Sequence, residues 1–583
     1  MEGFRFEGKE GERRKAALAK ILETPSVAEV LPVVDKFVAA LGLLHHGHAA
    51  LKDVVDDASL ERADFTRYKA KLSSALSDVF FQSQNKTEEQ AYPVPLGFYW
   101  KNFASKHAKD FRALLSKATN SSEAQRSLAE LLKRLREEER REGRFRLSQF
   151  SPWLTSTNFA PLRLEIPGQC AGGDRSEDRL LIAGFSEELR VMASLRKPKA
   201  ISIRANDGRS YRFLAKAGED LRQDARIEEL FVQMNAVLAA DEECRRRQLA
   251  IKTYSVLPIT SRIGLIEFLP GVVDLKGFIG RQKTAAEAKA NPAKKLKALG
   301  GRISEPTAYL EAFGKSSAAI TASFREAEAC LRPNLLKLAL QGLCRSLRDF
   351  ALVREHFLAS HSALCAAHYL LGIGDRHQSN FMLETRSGGL VGIDFGHAFG
   401  SATQFLPIPE LMPFRLTRQL LSVMEPEGPG GAFEAGLTAT LSALRQSQQL
   451  LLATLEVFVR EPSLDWLQNA KRQQSLAKDT ADWFPKAKVA VVEAKLAGSN
   501  PVLLLRQELA ESRHAKLLDR FSEALLGLEP FSMQEANRET LLSRPRGLPA
   551  SQLTPSQQAT LLIELAREPL ILGRTYVGWE PFC

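Results

Sequence analysis

The chain has 583 residues, 44% of them hydrophobic, and carries 80 Lys and Arg against 69 Asp and Glu for a formal net charge of +11. That length is too great for one hydrophobic core and excludes a single small module, while the charge excess favours acidic partners such as nucleotide phosphates or nucleic acid without discriminating among them. Six cysteines with no C-x-x-C pair and an amino terminus, Met1-Glu2-Gly3-Phe4-Arg5, that lacks an apolar core predict a soluble chain in a reducing, intracellular compartment, and no run approaches the roughly eighteen apolar residues of a membrane span.

In chain order, the first 150 residues read as helical, with apolar positions at helical spacing and few strand-like alternations. The clearest segment runs from Ser122 to Gly143. Ser122 and Gln125 are placed as a capping box, Leu128, Leu131, Leu132 and Leu135 form one stripe, and Gly143 is the stop. The charge run Lys133 to Arg146 reads as the solvated face of that helix, because Glu137 to Glu139 interrupts it. After Pro161 and Pro167-Gly168 the texture changes to short β-branched and aromatic runs, which puts a domain boundary near 160–175.

Ala200 to Arg204 and Tyr211 to Lys216, joined through Asn206-Asp207-Gly208, read as a β-hairpin whose tip could offer backbone N–H groups to phosphates. Taken alone it is an ordinary surface turn. Lys216 closes the second strand, a place from which a lysine can reach the phosphates of a nucleotide. A helix beginning near Asp220 supplies candidate carboxylates to hold it, Glu219 and Asp224. Ile251 to Pro258 and Arg262 to Pro270 read as two further strands, on which Tyr254 and Phe268 are, by periodicity, core aromatics. Residues 281–300, with Lys283, Lys289, Lys294, Lys295 and Lys297 and no clear apolar face, read as a solvated insertion. From Asn334 one stripe of Leu336, Leu340, Leu343, Leu347 and Phe350 predicts a helix, and a second apolar helix through Leu358, Leu364, Ala367 and Leu371 leads into Gly372-Ile373-Gly374.

Those glycines open Gly374-Asp375-Arg376-His377-Gln378-Ser379-Asn380. Met382-Leu383 and Leu390 to Ile393 follow as a short strand pair that puts Asp394-Phe395-Gly396 at a strand end. Phosphoryl transfer needs a group to orient the attacking hydroxyl and hard oxygen ligands for magnesium on the β- and γ-phosphates. Asp375, Asn380 and Asp394 supply them. The Asp-to-Asn separation, five positions, is that of the protein-kinase signature, but the triplet reads Asp-Arg-His where that signature has His-Arg-Asp. Paired motifs at this spacing are far more specific than either alone.

The inverted triplet resembles the phosphatidylinositol-3-kinase-like superfamily, which comprises lipid kinases and their giant Ser/Thr protein-kinase relatives. The run Phe213 to Asp224 is similar to that family's lysine strand and following helix. The resemblance implies an α+β fold, with a small β-rich lobe at 161–270, a large helical lobe at 271–550 and an all-helical region before them at 1–160. It implies ATP as the phosphate donor, with Mg2+, or Mn2+ in its place. It also implies that Tyr254 pairs with Asp224, that Phe268 packs on adenine and the Leu269 backbone bonds to it, and that Met382 and Ile393 complete the nucleotide-contacting set. In this family the histidine at the position of His377 contacts the transferring phosphoryl group, so Asp375 is given the substrate hydroxyl, and Asn380 and Asp394 the metal. His361, His368 and His397 read as structural.

Two features select the protein-kinase branch. The segment His397 to Thr417 is apolar and proline-rich, with one cation, Arg415, and one acid, Glu410, which suits a peptide and poorly suits a phosphorylated inositol. Residues 551–583, with a capping box at Thr554-Pro555-Ser556-Gln557, apolar Leu561, Leu562 and Leu565, and aromatics kept to the end, resemble the FATC element of that branch. Within the branch, Ile166 to Gln169, Val191 to Arg196, Gly218 to Asp224, Gly396 to Pro407, Glu410 to Thr417, Lys495 to Pro501 and Ile571 to Arg574 carry a closer resemblance to one member. It implies Ser/Thr phosphorylation before Gln, in nuclear repair of DNA double-strand breaks by end joining, with the Ku heterodimer and DNA ends as partners. Those partners contact a long upstream solenoid, so the chain is expected to be a fragment, an incomplete gene product or a shortened form. Phe268 where relatives often carry Trp, Ala217 for a more usual Gly, and the 281–300 insertion depart from the pattern. A phosphoinositide kinase and a non-catalytic assembly module are the rival readings.

Overall fold

The computed structural model describes residues 25–45, 51, 64–76, 94–117, 120–138, 143–168, 179–192, 194, 196–218, 220–296, 299–459, 483–510 and 552–583. Two compact units divide it, the first made of residues 1–225 and 254–269, the second of 226–253 and 270–583.

In the first unit, helices Pro25–Gly42, Phe65–Leu76, Phe98–Lys117 and Ser121–Glu138 precede a wholly antiparallel sheet. Its strands are β1 (Gly143–Arg146), β2 (Ile182–Phe185), β3 (Glu188–Val191), β4 (Lys199–Ala205), β5 (Ser210–Ala217), β6 (Val256–Pro258) and β7 (Ile263–Glu267). Their order is β1-β3-β4-β5-β7-β6, with β2 also on β4. One apolar core joins Phe37 and Leu41 of the first helix, and Leu44 just beyond it, to Ile201, Ile203, Phe213 and Leu265 of the sheet. Each such side chain contributes about 1.5–3 kcal/mol by leaving water. The compositional change at 160–175 does not interrupt this core. A second cluster, Tyr68, Phe111, Leu128, Leu131 and Leu135, holds the helices to one another.

In the second unit, β8 (Val272–Asp274), β9 (Phe381–Glu384) and β10 (Leu390–Gly392) form a three-stranded sheet in the order β10-β9-β8. The helix Leu347–Leu371 packs on Ala432–Gln446, which packs on Pro555–Arg567. From His361 to Leu371 every residue of the first of these helices is buried, so its apolar run serves as the unit's central post. Among the described residues, no helix is long and apolar enough to cross a membrane.

Several sequence expectations need correction. The helix at Ser121–Glu138 is capped by Asn120, whose Oδ1 accepts the Glu123 N–H at 2.9 Å, and not by Ser122. Gly143 does not stop it but opens β1, a strand in a stretch read as helical, because Phe145 and its neighbours pair with Leu189 on β3. The hairpin forms in the expected place, with Ile203 opposite Tyr211, and several N–H groups of its tip already have partners. There the Asn206 N–H donates to Leu181, that of Gly208 to Ala205 and that of Arg209 to the Asp207 carboxylate. The stripe from Leu336 to Phe350 is broken: one helix ends at Gln341, another starts at Leu347 after the Ser346 cap, and Leu347 is exposed. In the Lys/Ala-rich segment Lys289, Lys294 and Lys295 are exposed as expected, but Leu296 and Leu299 are buried. The segment's turn Pro292–Lys295 packs on the helix Ser317–Glu328, and Glu287 is tied to Arg332 at 2.9 Å.

Candidate active site

The central helix ends where only glycine fits. Gly372 has φ 57°, and a side chain there would place its first carbon 2.6 Å from the Gly400 nitrogen; at Gly374 it would stand 2.2 Å from the Ala402 side chain. This close approach lets Gly400 donate to Gly372 at 3.0 Å and Gly374 to His397 at 2.8 Å. The loop carrying Asp375 and the segment that follows Asp394 are thereby laced together by backbone.

Asp375 and Asp394 both adopt left-handed backbone, with φ 58° and 61°. Such conformations cost on the order of 1–3 kcal/mol each in a non-glycine residue and persist only where the surroundings over-determine them. Here three buried charged side chains do so. The Glu410 carboxylate accepts the N–H groups of Asp375 and Arg376, and binds Arg415 at 2.6 Å. Arg415 also donates to the Arg376 carbonyl. Arg376 in turn donates to the carbonyls of Gly374 and Ile393, each at 2.9 Å, and of Asp394. Glu410, Arg415 and Arg376 are 4%, 8% and 3% exposed, so water does not compete for these bonds. The network fixes main chain at both acidic positions.

Asn380 donates an amide N–H to the Asp375 carbonyl at 2.8 Å, which orients the amide. The Ile393 N–H donates to the Asn380 carbonyl at 3.0 Å, and the ladder of Gly392 opposite Phe381 places Asn380 and Asp394 at adjoining strand ends. An amide oxygen and a carboxylate are the hard donors a divalent cation takes, so the residues fit one. His377 Nε2 stands 4.0 Å from Asp375 Oδ2. Burial holds the imidazole below its ordinary range against the opposing pull of Asp375, leaving a neutral ring at neutral pH. His361 and His368 are buried among aromatic rings, His368 beside Phe395, as befits structural histidines.

One partner of Asp375 lies outside the motif. The Trp579 indole N–H donates to Asp375 Oδ1 at 2.7 Å, and Gln378 Nε2 donates to the Cys583 carbonyl at 2.6 Å. The aromatics at the end of the sequence signal that this segment docks; nothing in them says that it docks on the loop carrying Asp375.

Of the nucleotide-contacting candidates, Met382 on β9 and Ile393 after β10 belong to the second unit with Asp375, His377, Asn380 and Asp394. Lys216, Asp224, Tyr254, Phe268 and Leu269 belong to the first. Lys216 faces Gly264 across the β5–β7 ladder, and Asp224 is buried in the first turn of the helix Arg222–Ala240. Phe268 carries the Arg212 guanidinium 4.1 Å from its ring centre, so one face expected for adenine already has a neighbour. Glu219 lies outside the described residues.

Residues 210–468 match the family model for phosphatidylinositol 3- and 4-kinase. The chain is 36% identical over 582 residues to the DNA-dependent protein kinase catalytic subunit of Xenopus laevis, a match covering 94% of this chain and 14% of that protein. To the same protein of Canis lupus familiaris it is 40% identical over 459 residues, 75% of this chain and 11% of the relative. A target of rapamycin homolog of Caenorhabditis elegans is 30% identical over 436 residues, 74% of this chain and 15% of that one. The chain therefore spans between 11% and 15% of the length of these relatives. A solved structure of the open conformation of CtTel1 matches with a TM-score of 0.54 at 20% identity, over 92% of this chain and 18% of that one. That likeness shows the fold alone, an α+β fold with a sheet-bearing lobe and a helical lobe.

Proposed function

From the kinase domain of the phosphatidylinositol 3- and 4-kinase family that the chain carries at residues 210–468, we propose that it transfers the γ-phosphate of ATP to Ser and Thr hydroxyls of proteins. The observation that carries protein over lipid is the state of Arg415. It is the one cation between His397 and Thr417, and it is buried and committed to Glu410 and the Arg376 carbonyl. A phosphorylated inositol is a polyanion and needs several exposed cations; this segment offers it none.

In the proposed reaction Asp375 accepts a hydrogen bond from the substrate hydroxyl and aims it in line with the γ-phosphorus. The neutral His377 donates its N–H to an oxygen of the transferring group, where negative charge develops. Asn380 and Asp394 would hold Mg2+, which when bound neutralises charge on the β- and γ-oxygens. Lys216 serves the α- and β-phosphates.

The similarity to proteins named DNA-dependent protein kinase catalytic subunit supports placing this activity in nuclear repair of double-strand breaks by end joining, at hydroxyls that precede Gln, with DNA ends and the Ku heterodimer as partners of a longer assembly. Incubating the chain with Mg-ATP and, in parallel, a Ser-Gln peptide and phosphatidylinositol vesicles tests the substrate class. Labelled peptide is expected; labelled lipid with unlabelled peptide would reverse the reading.

A further inference from the structure

We infer that Trp579 is a positioning residue for Asp375, holding its carboxylate in the rotation that leaves Oδ2 for the substrate hydroxyl. The inference rests on the reading of Asp375 given above and adds a residue to it.

The terminal torsion of an aspartate is broad, so fixing its backbone does not fix its oxygens. The bonds that Glu410 and Arg415 of the buried network make to the loop end on its main chain. The Asp375 side chain is 37% exposed, enough for water to turn it. Trp579 supplies what that network lacks, a donor on Oδ1 at 2.7 Å. Oδ2 then points to the side of His377 Nε2, 4.0 Å away, where the phosphoryl chemistry is proposed.

A donor positions another group only if it is itself held, and this indole is. Trp579 is 6% exposed, lies 5.6 Å under the Arg415 guanidinium and meets the Tyr576 ring edge-on at 5.6 Å. Tyr576 packs on Tyr309, whose hydroxyl accepts the Val577 N–H at 3.3 Å. Beyond the indole, Glu580 pairs with Lys276 at 3.1 Å and the Cys583 carbonyl takes Gln378. Through Arg415 the same ring touches the network that sets the backbone of Asp375. Main chain and carboxylate are thus set by parts that contact each other.

The test is a double-mutant cycle on the full chain with a Ser-Gln peptide, using Trp579→Phe and Asp375→Ala. Loss of one hydrogen bond to a charged group should lower kcat about tenfold. The KM for ATP should stay within about twofold, because the lost bond acts on chemistry and not on ground-state binding. In the Asp375→Ala background the tryptophan substitution should change residual transfer no further, since its target is gone. A full kcat in Trp579→Phe, or the same tenfold loss repeated in the Asp375→Ala background, would overturn the proposal. Should Trp579→Phe melt early, β-(3-benzothienyl)alanine at 579 keeps the shape, removes the donor and must give the same kcat loss. If Asp375→Ala alone retains full activity, the reading of Asp375 fails; if only Trp579→Phe does, the positioning role fails by itself.

Discussion

Lys216 and Asp375 are held by different means. Lys216 lies in β5 with Leu214, Ala215 and Ala217 each paired across to β7, so its place follows from strand register and would survive many changes of sequence. Asp375 lies in no ladder. Its left-handed backbone is kept by Glu410, thirty-five residues on, by Arg415 through Arg376, and its carboxylate by Trp579, 204 residues on. A residue of the first kind is fixed by backbone geometry that any strand shares; one of the second depends on particular distant side chains, and a single substitution there reaches the proposed chemistry.

The comparison predicts unequal costs. Glu410→Gln leaves the Arg415 guanidinium buried without its charge partner, and breaking such a pair typically costs about 3–5 kcal/mol. It should lower the melting temperature and reduce peptide phosphorylation together. Lys216→Met should reduce phosphorylation while leaving the melting temperature nearly unchanged, as the ladder remains. Equal stability losses in the two variants, followed by differential scanning fluorimetry, would erase the distinction.

A smaller effect probes the helix behind the loop. Burial lowers the His361 pKa to about 4, between the rings of Phe357 and Phe433. A histidine whose folded pKa is depressed stabilises the fold in its neutral form, fully above its unfolded value near 6.5. As pH falls the unfolded chain binds the proton first, and the contribution is lost between about 6.5 and 4, roughly 3 kcal/mol in all. Melting temperature should therefore drop between pH 7 and pH 5, and His361→Leu should flatten that slope. A slope unchanged by the substitution would assign the acid sensitivity elsewhere.

These differences also explain what could be read in advance. The hairpin around Asn206-Asp207-Gly208, the Pro555–Arg567 helix with its Thr554 and Gln557 capping box, and the apolar post ending at Leu371 each follow from local pattern, and each forms where the pattern puts it. The glycines at 372 and 374 were legible as a sharp turn, although their neighbours at Gly400 and Ala402 were not. Glu410 and Arg415 were visible as charges in an apolar segment, yet only the fold turns them inward onto Asp375 and Arg376. Trp579 had no local signal of its target, since a hydrogen bond across 204 residues leaves no periodicity. The strand at Gly143–Arg146 was missed because four residues rich in arginine carry too short an alternation to outweigh the helical texture before them.

Single-turnover transfer of labelled γ-phosphate from Mg-ATP to a Ser-Gln peptide, by the wild-type chain and by Asp375→Asn, tests most directly whether Asp375 takes the substrate hydroxyl. Asparagine keeps the size of the side chain and an oxygen for the Trp579 indole, so the melting temperature should hold while transfer slows by at least about a hundredfold. Equal transfer rates in two folded proteins would contradict the assignment.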